Sequence, residues 1–503
     1  MARQDTFDAH FVDRQREEKL VRQEIRREYH DTYNRIHSIA EDAEFVSRVR
    51  QAYSSYPMIA NLRCGSWYTD PSTAHPDPAY FKSTDGHFGN WDFNLRRPNL
   101  HLLPLINEHQ CIFIVDSTRA GKTIPDALSK TVPIWCAVIN RTMGKRQEEN
   151  WDAPSWDIPL YTPSHLVSEQ EHAQISEKLD TWADSLLASS YEIPTLDLPL
   201  RPFWLTPSIR TFPAVEPIMG YYPVVCVSAS KLVAEGMERR QGGFVYVQGS
   251  GDDHESWSLG LTPELFWRHK DEILGASRSE LPGSIARIIA RAPPGDNSQG
   301  DEWINPPTPV NRISGLISLS SIADLPNSIR NPGKATQSCD LQLPCLILRS
   351  PTTTITTPDS ESTEDPYILS IEVTPMKNGG GIQFMTEALP RSMKFIQSHL
   401  YAGRSVHIAC DTGKDISVGI AVAALQHYFD DGGKLVDPND LIDERLVDKN
   451  SIRTRLQWII ASRPQANPSR ATLKRVNEYF LSSPSFRKAA SSSKPSQLAD
   501  EPV

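Results

Sequence analysis

Along the chain, short apolar runs alternate with apolar stripes at helical spacing, the pattern of strands interleaved with helices. Residues 13–29 are dense in alternating charge, and Leu20, Val21 and Ile25 form only a thin apolar stripe. A helix is predicted there, either solvated and held by i,i+4 pairs or lying along a polyanion. Ile36, Ile39, Ala40, Ala43 and Val46 then predict a helix docked on a core. Apolar runs at 111–115, 221–228, 244–248, 341–348, 367–373 and 405–409 predict strands. Further helices are predicted through Gln174, Ile175, Leu179, Trp182 and Leu186, and over 384–400, 418–429, 452–460 and 471–481. This alternation places the chain in the α/β class.

The stretch 292–309, rich in Pro, Gly and Asn, has linker composition. It separates an N-terminal α/β domain, 1–291, from a C-terminal α/β domain, 310–482. The last stretch, 483–503, is rich in Ser, Pro and Lys and is expected to be disordered. A length of 503 residues suits two to four domains, and a hydrophobic fraction of 39% with 11 Trp supplies their cores. No apolar run approaches the roughly 20 residues that cross a bilayer. The opening residues lack a signal-peptide core, and seven cysteines without a CxxC pair fit a reducing compartment and give no zinc signature. A cytoplasmic protein without a membrane role is expected. The formal net charge of −10 disfavours nucleic acid as a partner except through a local basic patch.

Two strand–loop–helix units carry candidate chemistry. In the first, the 405–409 run leads into Cys410-Asp-Thr-Gly-Lys-Asp-Ile-Ser417 and then a helix. Such a unit aims consecutive backbone N–H groups and a helix N-terminus at one point, the geometry of an anion cradle. Gly413 permits the turn, Ser417 can cap the helix, and Thr412 and Lys414 add donors. The spacing resembles the loop of Cys-based phosphatases, with Cys410 and Ser417 in place but Ile416 where those enzymes carry arginine. Without the bidentate fork, a phosphate-binding loop that has lost phosphatase chemistry is expected. The alternative is that Cys410 is a core residue at a strand end.

In the second unit, the 111–115 run leads into Asp116-Ser-Thr-Arg-Ala-Gly-Lys-Thr123. Walker A, phosphoribosyltransferase and phosphatase loops each come close to it, and none fits. All three are anion cradles after a strand, so Ser117, Thr118, Arg119, Gly121, Lys122 and Thr123 are candidate phosphate ligands. A structural turn is the alternative. Lys82, Ser83, Thr84 and His87 lie in the densest polar and aromatic stretch and are further anion donors, unless that stretch is only a hairpin corner. Arg96 and Arg97 follow and add positive charge. Residues 249–255 read as an exposed turn, and 313–324 resemble the opening strand and helix of dual-specificity phosphatases.

Four segments together resemble the initiator-tRNA 2′-O-ribosyl phosphate transferase family. They are Tyr80-Phe-Lys-Ser-Thr-Asp-Gly-His, Val115-Asp-Ser-Thr-Arg-Ala-Gly-Lys, Pro125-Asp-Ala-Leu-Ser-Lys-Thr-Val-Pro-Ile-Trp135 and Cys410-Asp-Thr-Gly-Lys-Asp-Ile-Ser417. The resemblance implies a dual-specificity-phosphatase-like C-terminal domain. It also implies transfer of 5-phosphoribose from phosphoribosyl pyrophosphate to the 2′-OH of adenosine 64 in initiator tRNA, which keeps that tRNA out of elongation. The implied partners are that tRNA and that donor, not DNA, with Mg²⁺ expected to assist. For such a reaction Asp116, Asp126, Asp411 and Asp415 are candidate carboxylates and Lys122 and Lys130 candidate cations, with Cys410 beside them and no covalent intermediate required. Arg22, Arg26, Arg27, Arg96 and Arg97 are the candidate tRNA contacts, the first three within a basic arm that also holds Arg14 and Arg16. The competing readings are a catalytically silent phosphate-binding scaffold and an active Cys-dependent phosphatase.

Overall fold

The computed structural model describes residues 19–20, 22–147, 156, 159–215, 220–291, 303–330, 343–351, 366–376, 379–438 and 447–481. Arg14, Arg16, the 292–302 part of the expected linker and the expected disordered tail lie outside the described residues. The chain divides into two compact units, Met1–Ala188 with Ile193–Pro293, and Ser189–Glu192 with Pro294–Val503.

The first unit begins with helix α1 (residues 22–30) and α2 (Thr32–Ala52), followed by β1 (Met58–Ala60), α3 (Leu102–His109) and β2 (Ile112–Asp116). A turn of π-helix at Ala127–Thr131 opens α4 (Val132–Gln147), and α5 (Glu169–Ser176), α6 (Leu179–Leu187), β3 (Leu200–Leu205) and β4 (Tyr222–Ser228) follow. The hairpin β5 (Met237–Arg239) and β6 (Val245–Val247) precedes α7 (Pro263–Arg268), α8 (Lys270–Gly275) and α9 (Leu281–Arg291). Strands β1 to β4 form one parallel sheet in the order β1-β2-β4-β3. The two inner strands are buried at every residue, as parallel strands covered on both faces are. Ile39, Val46 and Val49 of α2 pack in one core with Phe113 and Val115 of β2, Val225 and Val227 of β4, and Ile285 and Ile288 of α9. The apolar pattern did not reveal β1 or β3. The first is three residues long, and the second contains Pro202, which a sheet accommodates at an edge because proline has no N–H to donate.

The second unit holds β7 (Thr308–Pro309), β8 (Ile317–Ser321), α10 (Asn327–Arg330), β9 (Cys345–Arg349), β10 (Ile368–Glu372) and α11 (Gly380–Gln383). After a π-helical turn come α12 (Leu389–Leu400), β11 (Val406–Cys410), α13 (Ile416–Tyr428), α14 (Lys449–Ser462) and α15 (Arg470–Leu481). Its sheet runs β10-β9-β11-β8-β7, parallel except for β7 against β8. Helix α13 is apolar around nearly its whole circumference, because α12, α14 and α15 enclose it over the sheet. The expected linker is shorter than its composition suggests. Trp303 packs edge-on against His407 at 4.9 Å and β7 is already in the sheet, so residues 303–309 belong to this unit. Among the described residues, no helix is long and apolar enough to cross a membrane.

Asp42 of α2 is buried and accepts hydrogen bonds from Ser230 Oγ at 2.6 Å and Tyr246 OH at 2.8 Å. Burial outweighs both and pushes its pKa up to about 8. The folded value then lies above the unfolded one of roughly 3.9, so this group's stability is fully present in acid. It is lost as pH rises toward about 8. The denaturation midpoint of the wild type should therefore fall relative to Asp42→Asn between about pH 5 and pH 8. Parallel curves for the two proteins would show an Asp42 that is ionised throughout.

Candidate functional site

The carboxyl end of β2 delivers Asp116 into the interior with no exposed surface. Its Oδ2 accepts from Asn61 Nδ2 at 2.9 Å and Arg63 Nε at 3.3 Å, and its Oδ1 from the Cys64 thiol at 2.8 Å and its neighbour's N–H at 2.9 Å. Burial, with Asp116 alongside, pushes the Cys64 thiol well above its ordinary range, so it remains a neutral donor. Asp116 was expected beside an acceptor hydroxyl. Buried under four donors it reaches no substrate, and its contribution is to aim Arg63. Ser117 is likewise interior, its hydroxyl on Ser230 and its carbonyl taken by Arg63.

Arg63 continues outward to Asp252, whose Oδ2 accepts from Nη1 at 3.0 Å and from Arg119 Nε at 2.7 Å. Burial would raise the Asp252 pKa, but Arg63 and Arg119 hold it below the usual carboxylate value. The 249–252 turn reaches this position because Gly249 adopts φ +73°, and a Cβ there would lie 2.5 Å from the Thr118 carbonyl oxygen.

On the other side of the loop stands Asp126. Lys122 Nζ meets its Oδ2 at 2.5 Å, Lys130 Nζ meets its Oδ1 at 3.1 Å, and His87 Nε2 lies 3.7 Å from Oδ2. Burial acts to raise its pKa, yet the two lysines prevail and lower it. Lys130 is itself nearly buried and also bonds Glu171 at 3.0 Å.

These groups surround a cavity of about 580 Å³ lined by Arg63, Lys82, Ser83, Thr84, His87, Thr118, Arg119, Lys122, Asp126 and Asp252. Among the side chains that line it, Arg63, Lys82, Arg119 and Lys122 outnumber Asp126 and Asp252, with Arg63 also paired to buried Asp116 and Arg119 to Asp253 at 3.5 Å, so the lining carries a cationic surplus suited to a polyanion. Eight of the residues singled out in the sequence come together here, while Gly121 and Thr123 belong to the same loop. Arg63 and Asp252 were missed. Arg63 follows the short strand β1, and Asp252 lies in the turn expected to be merely exposed. The one legible signal was the polar run Asn61-Leu-Arg-Cys directly after an apolar triplet. Arg97 lies outside the cavity, its side chain 7% exposed and paired with Asp85 at 2.7 Å, so its charge is spent on that carboxylate; Arg96 beside it is half-buried. Arg22, Arg26 and Arg27 are exposed on α1, and Arg27 stands 3.8 Å from Glu24.

In the second unit the Cys410 loop closes between β11 and α13. A Cβ on Gly413, at φ +62°, would lie 2.7 Å from the backbone of Ser320 and Ser321. Cys410 is buried, with Sγ 3.0 Å from Ser417 Oγ, and Thr412 Oγ1 accepts from the Lys414 N–H. The loop's two carboxylates are engaged within the unit. Asp411 accepts from the Ser350 N–H and hydroxyl, and Asp415 from the Ser469 N–H and Thr472 Oγ1. Arg463 Nε donates to the Gly413 carbonyl at 2.9 Å. Ile416 is the first residue of α13, so no guanidinium occupies the fork position on that helix.

Residues 25–290 match the family model described as Rit1 N-terminal domain, and residues 367–480 the one described as Rit1 DUSP-like domain. The chain is 33% identical over 499 residues to the tRNA A64-2′-O-ribosylphosphate transferase of Saccharomyces cerevisiae, covering 92% of this chain and 94% of that protein. It is 40% identical over 290 residues to an uncharacterized protein of Schizosaccharomyces pombe, covering 56% of this chain and 62% of that protein. Among solved structures it is similar to human DUSP28 (14% identity, 36% of this chain and 96% of that one, TM-score 0.22). It is also similar to the human tyrosine phosphatase-like serine/threonine/tyrosine-interacting protein (15% identity, 33% and 92%, TM-score 0.21).

With Ile416 in place of the fork and no carboxylate in the 373–378 segment to act as general acid, turnover of a generic aryl phosphate should stay at background. Rapid hydrolysis that Cys410→Ser abolishes would overturn this.

Proposed function

The chain belongs to the Rit1 family, and from that premise we propose that its first-unit cavity transfers phosphoribose to the ribose 2′-OH of adenosine 64 in tRNA. It is a transferase acting on tRNA, with a phosphatase-like second unit. The donor in this reading is phosphoribosyl pyrophosphate and the acceptor is initiator tRNA. The observation that carries it is the cationic surplus of the cavity outside the strand ends.

Lys82, Arg119 and Lys122 neutralise the pyrophosphate as it leaves, while Ser83, Thr84 and Thr118 offer hydroxyls to the 5′-phosphate. In the step itself, the bond from the anomeric carbon to pyrophosphate oxygen breaks and a bond to the ribose 2′-oxygen forms. Asp126, kept ionised by two lysines, is a weak base; it stabilises the positive charge that develops on the sugar. His87, beside it at 3.7 Å and half-exposed, receives the 2′-OH proton. The cavity carboxylates do not fit a resident metal, because Asp126 and Asp252 each already bind two cations and, among the described residues, no cluster of three acidic, His or Cys ligands exists. Mg²⁺ in this reading arrives on the donor's phosphates. The Cys410 loop, without the fork, takes part in no covalent chemistry in this reading.

Arg119→Ala and Lys122→Ala should each lower kcat/KM for the donor roughly 10- to 100-fold, as loss of a charge-assisted hydrogen bond of about 1.5–3 kcal/mol requires. Pyrophosphate release at wild-type rates in either variant would remove the cavity from the mechanism.

An acidic chain holds tRNA through local charge, and α1 is the exposed basic element. Changing Arg22, Arg26 and Arg27 together to Ala should weaken tRNA binding and flatten its salt dependence by up to roughly three counterions, with donor affinity unchanged. An unaltered salt slope would return α1 to a solvated helix.

A further inference from the structure

Phe88 is 69% exposed, the barest large apolar side chain among the described residues. Leaving a phenyl ring in water forgoes burial energy, and packing of the fold does not require it. The ring is nonetheless held in place. It stands edge-on to Trp91 at a centroid distance of 5.3 Å and an angle of 78°. Trp91 is buried, and its Nε1 donates to Glu171 Oε1 at 3.0 Å. The same oxygen accepts from Lys130 at 3.0 Å, and Lys130 reaches Asp126 at 3.1 Å. Two residues earlier, Gly86 lies so close to this segment that a Cβ would sit 2.7 Å from the Asp126 carbonyl oxygen. Between them, His87 lines the cavity. A bare aromatic face is thus fixed beside the cationic cavity and tied through three side chains to its central carboxylate.

We propose that Phe88 is the apolar contact that seats the RNA stem, its ring lying against the ribose faces of the shallow groove next to the 2′-OH that is modified. This rests on the transfer reading above. An A-form stem presents its 2′-hydroxyls in that wide, shallow groove, where a protruding ring reaches them without opening a base pair. Enzymes flip a base when the chemistry is on the base, and here it is on the sugar. The neighbouring cations suit the phosphates that flank such a contact. Phe88 reads no base edge, so its contribution is to position the ribose.

Direct binding of unmodified initiator tRNA, without donor, tests this. Phe88→Ala should weaken tRNA binding about tenfold, Phe88→Tyr should restore it, and phosphoribosyl pyrophosphate affinity should not change. In turnover, KM for tRNA should rise while kcat at saturation holds. A tRNA carrying 2-aminopurine at position 64 should remain quenched on binding. Unchanged tRNA affinity in Phe88→Ala, equal loss of donor affinity, or a burst of 2-aminopurine fluorescence would each overturn the proposal, the last by showing the base unstacked. Self-association of the wild type that Phe88→Ala abolishes, with tRNA affinity intact, would assign the ring to a second copy of the chain instead. A wild type that binds tRNA but transfers nothing from the donor would sink the transfer reading, while the Phe88 comparison would still be decided on binding.

Discussion

The first unit depends on a buried carboxylate that must be satisfied. A charge at the end of an inner parallel strand has no water, and its desolvation cost is met only by donors placed around it. Asp116 finds them in Asn61, Arg63 and Cys64, all from the segment after β1. This one requirement joins the ends of two strands and sets the direction of the Arg63 guanidinium. Arg63 then fixes Asp252, and Asp252 fixes Arg119. Because each link neutralises the next, the network stays ordered while its outermost cations remain available to a ligand. Removing Asp116 would strip Arg63 of its innermost partner and leave it held by Asp252 and the Ser117 carbonyl, so the Asp116 side chain matters although it touches no substrate.

The two strand–loop–helix units of this chain solve the same geometric problem and differ in what remains exposed. Both follow a buried strand, and both rely on a glycine where backbone approaches backbone. Around the first loop Lys82 lines an open cavity together with Arg119 and Lys122, which stay largely exposed while paired with Asp252 and Asp126. Around the second, Asp411 and Asp415 spend their acceptors on Ser350, Ser469 and Thr472, and Arg463 grips the loop's own carbonyl. The first arrangement is suited to charge that changes during a reaction; the second is suited to holding a shape. The acidity of the whole chain does not oppose either, since fields inside a cavity are set by groups within a few ångströms.

Much of this was legible in the sequence, because strand–loop–helix units are local. An apolar run, a polar turn with glycine and a helical stripe lie within fewer than thirty residues, so 111–139 and 405–429 could be read as strand–loop–helix units, and Ile416 could be read as a lost fork. Lys82, His87, Lys122 and Asp126 were found for the same reason: each sits in a short, unusual polar segment. What the residues alone could not reveal was pairing between segments far apart. Asp252 reads as one more acid in an exposed turn until Gly249 lets that turn lie on the 117–123 loop. Even across twelve residues, Arg97 reads as surface charge until Asp85 claims it. The sequence by itself determined which side chains could carry charge and where the backbone could turn. The tertiary structure decided which charges are spent on one another and which face a ligand, because that depends on through-space distances between segments nearly two hundred residues apart, which no local pattern encodes.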